Sequence, residues 1–401
     1  MMTKAKDKGR SLVSPTWVLV VAGLVFLTGL SLTIIAPGNY PDDPADSAPA
    51  KPPRSRAPAV KEDPGWAGWP GAVLASRFSG GDCGAKINAA DAWLGDAPGE
   101  IWVDQACGTL WKTSLRFSGK RVLRFVQGGT YKVTKIVLPE GSNQLSIISS
   151  GPGMTVLEAA SPNTPVIQCV QTGGAADSDY VSGISVRANA AGSTGPAIDV
   201  SGCRDSTFSD ITYLSSGKAN FASFFRFSSS PGYCYNNRIQ HPIVTGQTGP
   251  ATVFLFDNNG TRLASHNANV TYIDHVWIYN NTGIKTVFDA RRSALTSITD
   301  GDIEANRGAT VLIPGTLTSM SGVWLEANGK ESVVGERGLD GSSNSVRLTG
   351  NFLGSPQEFS IGSGLSDWKV VGNVPAAFLT VEDNSGDPTN VIQKREPRGG
   401  R

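Results

Sequence analysis

Gly183-Ile184-Ser185-Val186 is a short segment in which two apolar residues flank a residue that points to the opposite face of a strand. Similar segments are Asp210-Ile211-Thr212-Tyr213, His275-Val276-Trp277-Ile278, Asp302-Ile303-Glu304-Ala305 and Gly322-Val323-Trp324-Leu325. With Ile243 and Leu348 included, their first apolar residues advance by 27, 32, 33, 27, 20 and 25 residues. A second apolar series advances by 27, 29, 34, 24 and 21 residues, at Ile198, Phe225, Phe254, Phe288, Leu312 and Val333. Two strand series that advance together in this way predict a solenoid of stacked coils.

The composition argues against several other classes of protein. Only 17% of the 401 residues are charged, while 47 are glycine and 24 are proline. Few charges, many turn formers and no sustained heptads favour an all-β fold over a helical or coiled-coil one. The net charge of +1 leaves no basic excess to hold a nucleic-acid backbone, so we expect no nucleic-acid partner.

The N-terminal region predicts export. Basic residues within 1–16 precede a run from Trp17 to Ile35, which carries no charge and is long enough to cross a bilayer as a helix. We expect a cytoplasmic basic segment at 1–16, a membrane anchor at 17–35 and a Pro-rich, disordered stalk at 36–70, with the body outside the cytoplasm. A cleaved signal peptide, which would make the protein secreted, is the alternative for 17–35. A β-helix domain at 71–385 and a disordered tail at 386–401 complete the predicted organisation.

The five cysteines also fit an exported protein. We expect Cys83 to pair with Cys107, because the two bracket the first helix and strand. Cys203 and Cys234 follow strands of neighbouring coils and are the expected second pair. Cys169 lies two residues from Ile167 on one strand face and is expected to be a buried free thiol, although five cysteines also allow other pairings. The absence of a Cys-x-x-Cys motif or of closely spaced Cys and His residues disfavours a metal site.

Residues 83–94 (CGAKINAADAWL) predict a short helix, since Ile87, Ala90, Trp93 and Leu94 have helical spacing before Gly95. Such a helix can cover the open end of a solenoid, which otherwise exposes unpaired strand edges. The flanking motifs are Gly80-Gly81-Asp82, Gly129-Thr130-Tyr131-Lys132-Val133, Ile136-Val137-Leu138-Pro139, residues 147–153 (IISSGPG) and Thr155-Val156-Leu157. With the helix, they resemble the beginning of pectin lyase-like right-handed parallel β-helices, and the resemblance covers roughly residues 78–352.

The resemblance implies a single-stranded, right-handed parallel β-helix with a short N-terminal capping helix. The superfamily includes pectate and alginate lyases, polygalacturonases, phage tailspikes and bacterial surface proteins, so it also implies a polysaccharide ligand and leaves open whether the chain forms a homotrimer in the tailspike manner. A lyase of this kind would use Ca²⁺; otherwise no cofactor is expected. The polygalacturonase motifs are incomplete, and the aspartates and arginine of pectate lyases have no clear counterparts. The resemblance therefore implies a fold rather than a reaction.

Strand alternation predicts which side chains face solvent. If the first apolar series points inward, neighbouring coils expose carboxylates beside aromatic rings. The predicted catalytic residues are Asp302, Glu304, Glu326 and His275, and the predicted substrate-binding residues are Trp277, Tyr279, Asn306 and Trp324. With coils about 4.8 Å apart, the pairs Asp302–Glu304 and Glu304–Glu326 are expected at roughly 7 Å and 8 Å. Such spacings suit two carboxylates that hydrolyse a glycosidic bond with inversion.

The expected neighbours define the roles. His275 would lie next to Asp302 and tune or orient that acid, while the indoles of Trp277 and Trp324 would flank Glu304. A structural explanation competes with this one, because exposed indoles also cover loops and acids on turns are often only solvated. A register slip of one residue would turn all of these side chains inward.

Two functions follow from these patterns. The first is an extracytoplasmic enzyme that cleaves a polysaccharide, by hydrolysis or by elimination. The second is a non-catalytic glycan-binding or cell-envelope structural protein on the same scaffold. The cluster Asp289, Arg291 and Arg292 is either a uronate site for elimination or a surface ion pair. With no basic groove in view, a neutral glycan is favoured, and hydrolysis with it.

Overall fold

The computed structural model describes residues 71–393, apart from 140–143, 152, 170–175, 192, 218, 229–233, 258–267, 330 and 337–344. The predicted basic segment, membrane anchor or signal, and stalk lie outside the described residues, as does the chain beyond residue 393. In the part of the chain that is described, no helix is both long and apolar enough to cross a membrane.

Within the described residues, thirty-two strands and one α-helix account for most of the regular structure. The first are β1 (Ala72–Leu74), α1 (Cys83–Leu94), β2 (Gly99–Val103), β3 (Leu110–Trp111), β4 (Arg121–Phe125), β5 (Gly129–Val133), β6 (Ile136–Leu138), β7 (Leu145–Ile148), β8 (Thr155–Ala159) and β9 (Ile167–Cys169). The middle strands are β10 (Ala176–Asp177), β11 (Tyr180–Ser182), β12 (Ile184–Arg187), β13 (Pro196–Asp199), β14 (Cys203–Arg204), β15 (Thr207–Ser209), β16 (Thr212–Leu214), β17 (Ser223–Phe227), β18 (Tyr235–Gln240), β19 (Ile243–Thr245) and β20 (Thr252–Phe256). The last are β21 (Ala268–Tyr279), β22 (Thr286–Asp289), β23 (Ser293–Glu304), β24 (Thr310–Ile313), β25 (Ser319–Glu326), β26 (Glu331–Gly335), β27 (Arg347–Thr349), β28 (Phe352–Leu353), β29 (Gln357–Ile361), β30 (Lys369–Val371), β31 (Leu379–Asp383) and β32 (Val391–Ile392). Short 3-10 turns lie at Ala75–Arg77, Gln105–Cys107 and Ala376–Phe378.

These strands form two long parallel sheets, and most coils contribute to both. The smaller sheet has ten strands: β6, β9, β13, β17, β20, β22, β24, β26, β29 and β31. The other 22 strands form the larger sheet. The predicted all-β parallel β-helix is confirmed. Strand pairing continues to β32, which pairs with β30 beyond the expected domain end at residue 385.

The helix α1 covers the N-terminal end of the solenoid, as predicted. Asp82 caps it by accepting a hydrogen bond from the Ala85 N–H (3.1 Å), and Gly95 ends it with a left-handed φ of 64°. A buried ion pair of 2.7 Å between Asp91 and Arg121 links the helix to β4. The helix also packs on β2 and β3 at the start of the solenoid.

The second apolar series has the register that the sequence predicts. Ile198 pairs with Phe225, and the pairing continues through Phe254, Phe288, Leu312 and Val333. All six side chains are buried. The rings of Phe225 and Phe254 stack with centroids 5.6 Å apart, and Phe288 continues the stack at 4.9 Å. Burial of each ring stabilises the fold by about 1.5–3 kcal/mol.

The predicted register of the first apolar series is wrong in part. Thr212 pairs with Ile243, so Ile243 lies in the outward column and Val244 in the core. Ile303 pairs with Ile278 rather than with Val276. The first error is a slip of one residue and inverts a face, while the second is a slip of two and keeps it. The sequence does not decide between Ile243 and Val244, which are adjacent, or between Val276 and Ile278, which are two residues apart, as the inward partner.

The second predicted disulfide is also wrong. Cys83 pairs with Cys107 as expected, with Cα atoms 5.0 Å apart, but Cys203 pairs with Cys169 at 5.5 Å, and Cys234 is the buried free thiol. The Cys203 N–H donates to the Val200 carbonyl, in a tight turn after β13. That turn brings Cys203 next to Cys169, the last residue of β9. Two disulfides indicate an oxidising, extracytoplasmic compartment.

Candidate functional site

Two outward rows of the larger sheet contain most of the predicted site residues. Row 1 consists of Thr212, Ile243, Trp277, Asp302, Trp324 and Phe352, which pair in register from coil to coil. Row 2 consists of Thr245, Tyr279, Glu304 and Glu326. The indoles therefore flank Asp302, and the expectation that they flank Glu304 is wrong. Glu304 lies between Tyr279 and Glu326 instead.

Left-handed corner residues bound these rows on both sides. On one side are His275, Asp300 and Gly322, with φ values of 54°, 52° and 70°. On the other side are Asn280, Ala305 and Ala327, with φ values of 57°, 53° and 48°. Between the corners lie residues 276–279, 301–304 and 323–326, which we call the candidate strip. Four residues span about 13 Å, a width that suits one extended ligand chain.

His275 lies at a corner and not beside Asp302. Its side chain is 69% exposed, and its Nε2 atom is 4.0 Å from Asp300 Oδ2. The predicted contact with Asp302 is wrong, because Asp300 occupies the equivalent corner of the next coil. His275 therefore borders the strip without contacting its acids.

Asn306 is fully buried, so the prediction that it faces a ligand is wrong. Its Nδ2 atom donates to the Ile278 carbonyl (2.7 Å) and to Asn328 Oδ1 (3.1 Å), and its Oδ1 accepts from Asn281 Nδ2 (2.8 Å). The corner at Ala305 turns the chain and reverses the alternation of faces on which the prediction rested. Asn306 stabilises the corner as part of an internal ladder of amides.

Asp302 has the most unusual environment of the three acids. Its Oδ1 atom is buried and has no hydrogen-bond partner among the described residues. Burial raises the pKa of its carboxyl above the ordinary aspartate value, and the charge of Glu326 adds to the increase. Asp302 therefore keeps the proton that a general acid needs to a higher pH than an ordinary aspartate does.

The two glutamates occupy equivalent positions on adjacent coils. Burial raises the pKa of Glu304, and the charges of Asp302 and Glu326 raise it further. Glu326 Oε2 accepts a hydrogen bond of 3.0 Å from Trp324 Nε1, which fixes the glutamate carboxylate beside the indole. The indole and the carboxylate of one coil are thus oriented together.

The register sets the backbone spacing of the three acids. Asp302 and Glu304 are two residues apart on β23, about 6.6 Å, and Asp302 and Glu326 lie diagonally at about 8 Å. Side chains that project in parallel from these positions would hold their carboxyl groups at similar spacings, within the roughly 6.5–9.5 Å of inverting glycosidases. Glu304 and Glu326 pair directly on adjacent coils and are only about 4.8 Å apart, so the expected spacing of roughly 8 Å is wrong. The charge of Glu326 at this distance contributes to the raised pKa of Glu304.

Two neighbours of the strip were not predicted. Phe352 is 47% exposed, and its ring lies 6.5 Å from that of Trp324 at an interplanar angle of 21°. His241 contacts Trp277 edge to face at 5.1 Å, while its Nδ1 atom is 2.8 Å from Asp210 Oδ1. The sequence signal for Phe352 was its position directly before the apolar Leu353, which is buried, because strand alternation then places Phe352 on the outward face.

The cluster of Asp289, Arg291 and Arg292 forms surface ion pairs. Arg291 binds both carboxylate oxygens of Asp289 at 2.8 Å and 2.7 Å and also contacts Glu336 at 2.9 Å. Arg292 Nη1 is 3.5 Å from Asp257. This cluster lies at the end of β22 in the smaller sheet, so it belongs to a different sheet from the candidate strip.

The candidate strip is an open surface. A cavity of about 210 Å³ lies among the first coils instead, lined by Ala72, Val73, Leu74, Trp102, Asp104, Val126 and Gln127. Its one carboxylate, Asp104, accepts hydrogen bonds from Ser76 and from the Cys107 N–H, both at 3.0 Å. Both oxygens of that carboxylate accept hydrogen bonds from the protein, and the lining contains no second acidic residue. We therefore assign no reaction to the cavity.

Within the described ranges, no cluster of three or more His, Cys, Asp or Glu residues is arranged to hold a metal ion. Comparison with models of known protein families, with curated proteins and with solved structures gives no match to this chain. Function is therefore inferred from the residues of the strip.

Proposed function

We propose that the protein is an extracytoplasmic, polysaccharide-active β-helix protein that hydrolyses a glycan on the candidate strip. One observation carries the proposal: Asp302, with a buried and unpaired oxygen, lies in register between the exposed indoles of Trp277 and Trp324. Exposed aromatic faces bind the apolar faces of sugar rings, and a carboxyl group between them is well placed to meet the glycosidic oxygen.

In this mechanism Asp302 donates its proton to the oxygen of the leaving sugar. Glu304, about 6.6 Å away along the same strand, accepts a proton from the attacking water. Glu326 raises the pKa of both groups by its charge. The proton that Asp302 loses is thus recovered from water through the second carboxylate, and the products are two sugar chains with one new reducing end.

The resemblance to pectin lyase-like proteins supports a polysaccharide as the ligand. Elimination receives less support, because Arg291 and Arg292 form ion pairs with acidic side chains on the smaller sheet. A non-catalytic glycan-binding function is the second candidate. The continuation of row 1 to Phe352 favours it, because an aromatic row binds sugars whether or not a bond is cleaved.

A panel of polysaccharides tests the proposal. Each is incubated with the protein and assayed both for new reducing ends and for the absorbance of an unsaturated product. Hydrolysis predicts reducing ends that are lost in Glu304→Gln and retained in Glu331→Gln, whose exposed side chain lies on β26 of the smaller sheet. Unsaturated product would establish a lyase instead, and binding without either product would establish the second candidate.

A further inference from the structure

The two indoles of row 1 are separated by two coils. Trp277 pairs with Asp302 and Asp302 pairs with Trp324, so the tryptophans lie about 10 Å apart along the solenoid axis. They are 48% and 41% exposed. Phe352 follows one coil beyond Trp324 and is similarly exposed. A ligand that contacts both indoles must therefore run along the axis and present two similar faces two coils apart.

This spacing is selective among glycans. In an extended β-(1→4)-linked pyranose chain each ring is turned by half a rotation relative to the one before it. Every second ring then presents the same face, at a repeat close to the two-coil distance. An α-(1→4)-linked chain curls and does not repeat in this way. Stacking of alternate rings on Trp277 and Trp324 would place the intervening ring over Asp302.

The charges of the strip restrict the ligand further. Asp302, Glu304 and Glu326 are all acidic, and rows 1 and 2 contain no lysine or arginine from Ile243 to Phe352. A chain of uronates or sulfated sugars would be repelled at the point where it crosses these carboxylates. The ligand is therefore expected to be uncharged.

We infer that the substrate is an extended, uncharged β-(1→4)-linked glycan, which lies along the solenoid axis with alternate rings on Trp277 and Trp324. This inference rests on the proposed function for its ligand class, but it does not require that the glycan is cleaved. It has a numerical consequence. Two sugar units reach only one indole, whereas three units reach both.

Isothermal titration of the full chain tests the inference with matched oligosaccharides. The β-(1→4)-linked oligomers of glucose, of N-acetylglucosamine and of mannose, from two to five units, are compared with α-(1→4)-linked glucose oligomers of the same lengths. At least one β-linked series should gain about tenfold in affinity from two to three units. The α-linked series should show no such step.

Two variants locate the step. Trp324→Ala should abolish the gain between two and three units, and Trp324→Phe should retain part of it. Trp93→Ala, which removes a 40% exposed indole of α1, should leave the gain unchanged. Equal binding of the α-linked series, a β-linked affinity that does not rise at three units, or a step that survives in Trp324→Ala would overturn the inference.

The outcome is distinguishable from failure of the proposed hydrolysis. If the polysaccharide panel shows cleavage of an α-linked polymer while no β-(1→4) series binds, hydrolysis stands and the inferred ligand is wrong. If a β-(1→4) series shows the step and no polymer in the panel is cleaved, the inferred ligand stands and the protein is a binder.

Discussion

The carboxylate of Glu326 lies over the backbone of Gly354, where a Cβ atom would come within 2.5 Å of Glu326 Oε2. The φ of Gly354 is outside the left-handed region, so its backbone does not require glycine. Gly354 instead leaves room for a side chain of the preceding coil. That room, together with the hydrogen bond from Trp324 Nε1, sets the position of one acid of the strip.

Gly354→Ala should move the Glu326 carboxylate without unfolding the protein. The added methyl group meets the carboxylate of Glu326, which can rotate away, but also the Glu326 Cβ atom at 2.9 Å, which can separate from it only if the backbone shifts slightly. We expect a thermal midpoint somewhat below that of wild type and a loss of glycan cleavage similar to that of Glu326→Gln. Differential scanning calorimetry and the reducing-end assay measure the two effects.

Gly81→Ala is the matched control, because a Cβ atom at Gly81 has no heavy atom within 4 Å and needs no left-handed φ. It should alter neither stability nor cleavage. Wild-type cleavage by Gly354→Ala would show that the position of Glu326 is not important for the reaction.

Asp302→Asn should change the pH dependence of stability. Because burial raises the pKa of Asp302, the folded protein keeps this proton at pH values where the unfolded chain has released it. The stabilising contribution is complete below the ordinary aspartate pKa and is lost as the pH rises through the raised one. The free energy of unfolding of the variant minus that of wild type should therefore be larger at pH 7 than at pH 3. Urea unfolding at the two pH values measures this difference.

The same substitution should lower kcat for glycan hydrolysis by about 10²–10⁴-fold if Asp302 is the general acid. Asp300→Asn, at an exposed corner two residues earlier, should not lower kcat to this extent. A variant-to-wild-type stability difference that is constant with pH would contradict the raised pKa.

The fold was predictable because its core pattern is simple. The second apolar series supplies a large inward side chain in every coil, so Phe225, Phe254 and Phe288 aligned without ambiguity. The outward face of the strip was predicted as well, since Asp302 and Glu304 lie where alternation places them. The slip of two residues at Ile303 leaves the faces unchanged, so the outward positions of Asp302 and Glu304 were predicted correctly in spite of it.

The neighbours within the strip could not be predicted. Val276 and Ile278 are both buried, and the sequence offers no reason to align Ile303 with one rather than the other. The corner at Ala305 was also hard to predict, because alanine does not favour a left-handed φ, whereas histidine, which lies at the corner before Val276, is enriched there. Each corner interrupts the alternation, and for that reason Asn306 turned inward.

Asn306→Ala should destabilise the fold. The substitution leaves the Asn281 amide, the Ile278 carbonyl and the Asn328 oxygen with fewer partners inside the coil. Each buried group left unsatisfied costs about 1–3 kcal/mol, so we expect a loss of roughly 2–5 kcal/mol in the free energy of unfolding. Urea titration followed by circular dichroism measures it.

Asn269→Ala serves as the control, since this asparagine is exposed on β21 of an adjacent coil. Its effect should remain within about 0.5 kcal/mol. A similarly small effect of Asn306→Ala would mean that the amide ladder contributes little and that Asn306 is free to serve another purpose.

The cysteine pairing is testable by digestion without reduction followed by mass spectrometry. A peptide containing Cys169 should be linked to one containing Cys203. Cys234 should react with iodoacetamide only after unfolding, because burial raises the pKa of its thiol to about 12 and hides it from the reagent. Cys169→Ala should lower stability by about 2–4 kcal/mol. Cys234→Ala should retain both disulfides and lose less stability than Cys169→Ala. A Cys203–Cys234 linkage in the wild-type digest would contradict this pairing, and Cys234→Ala would then be the more destabilised variant.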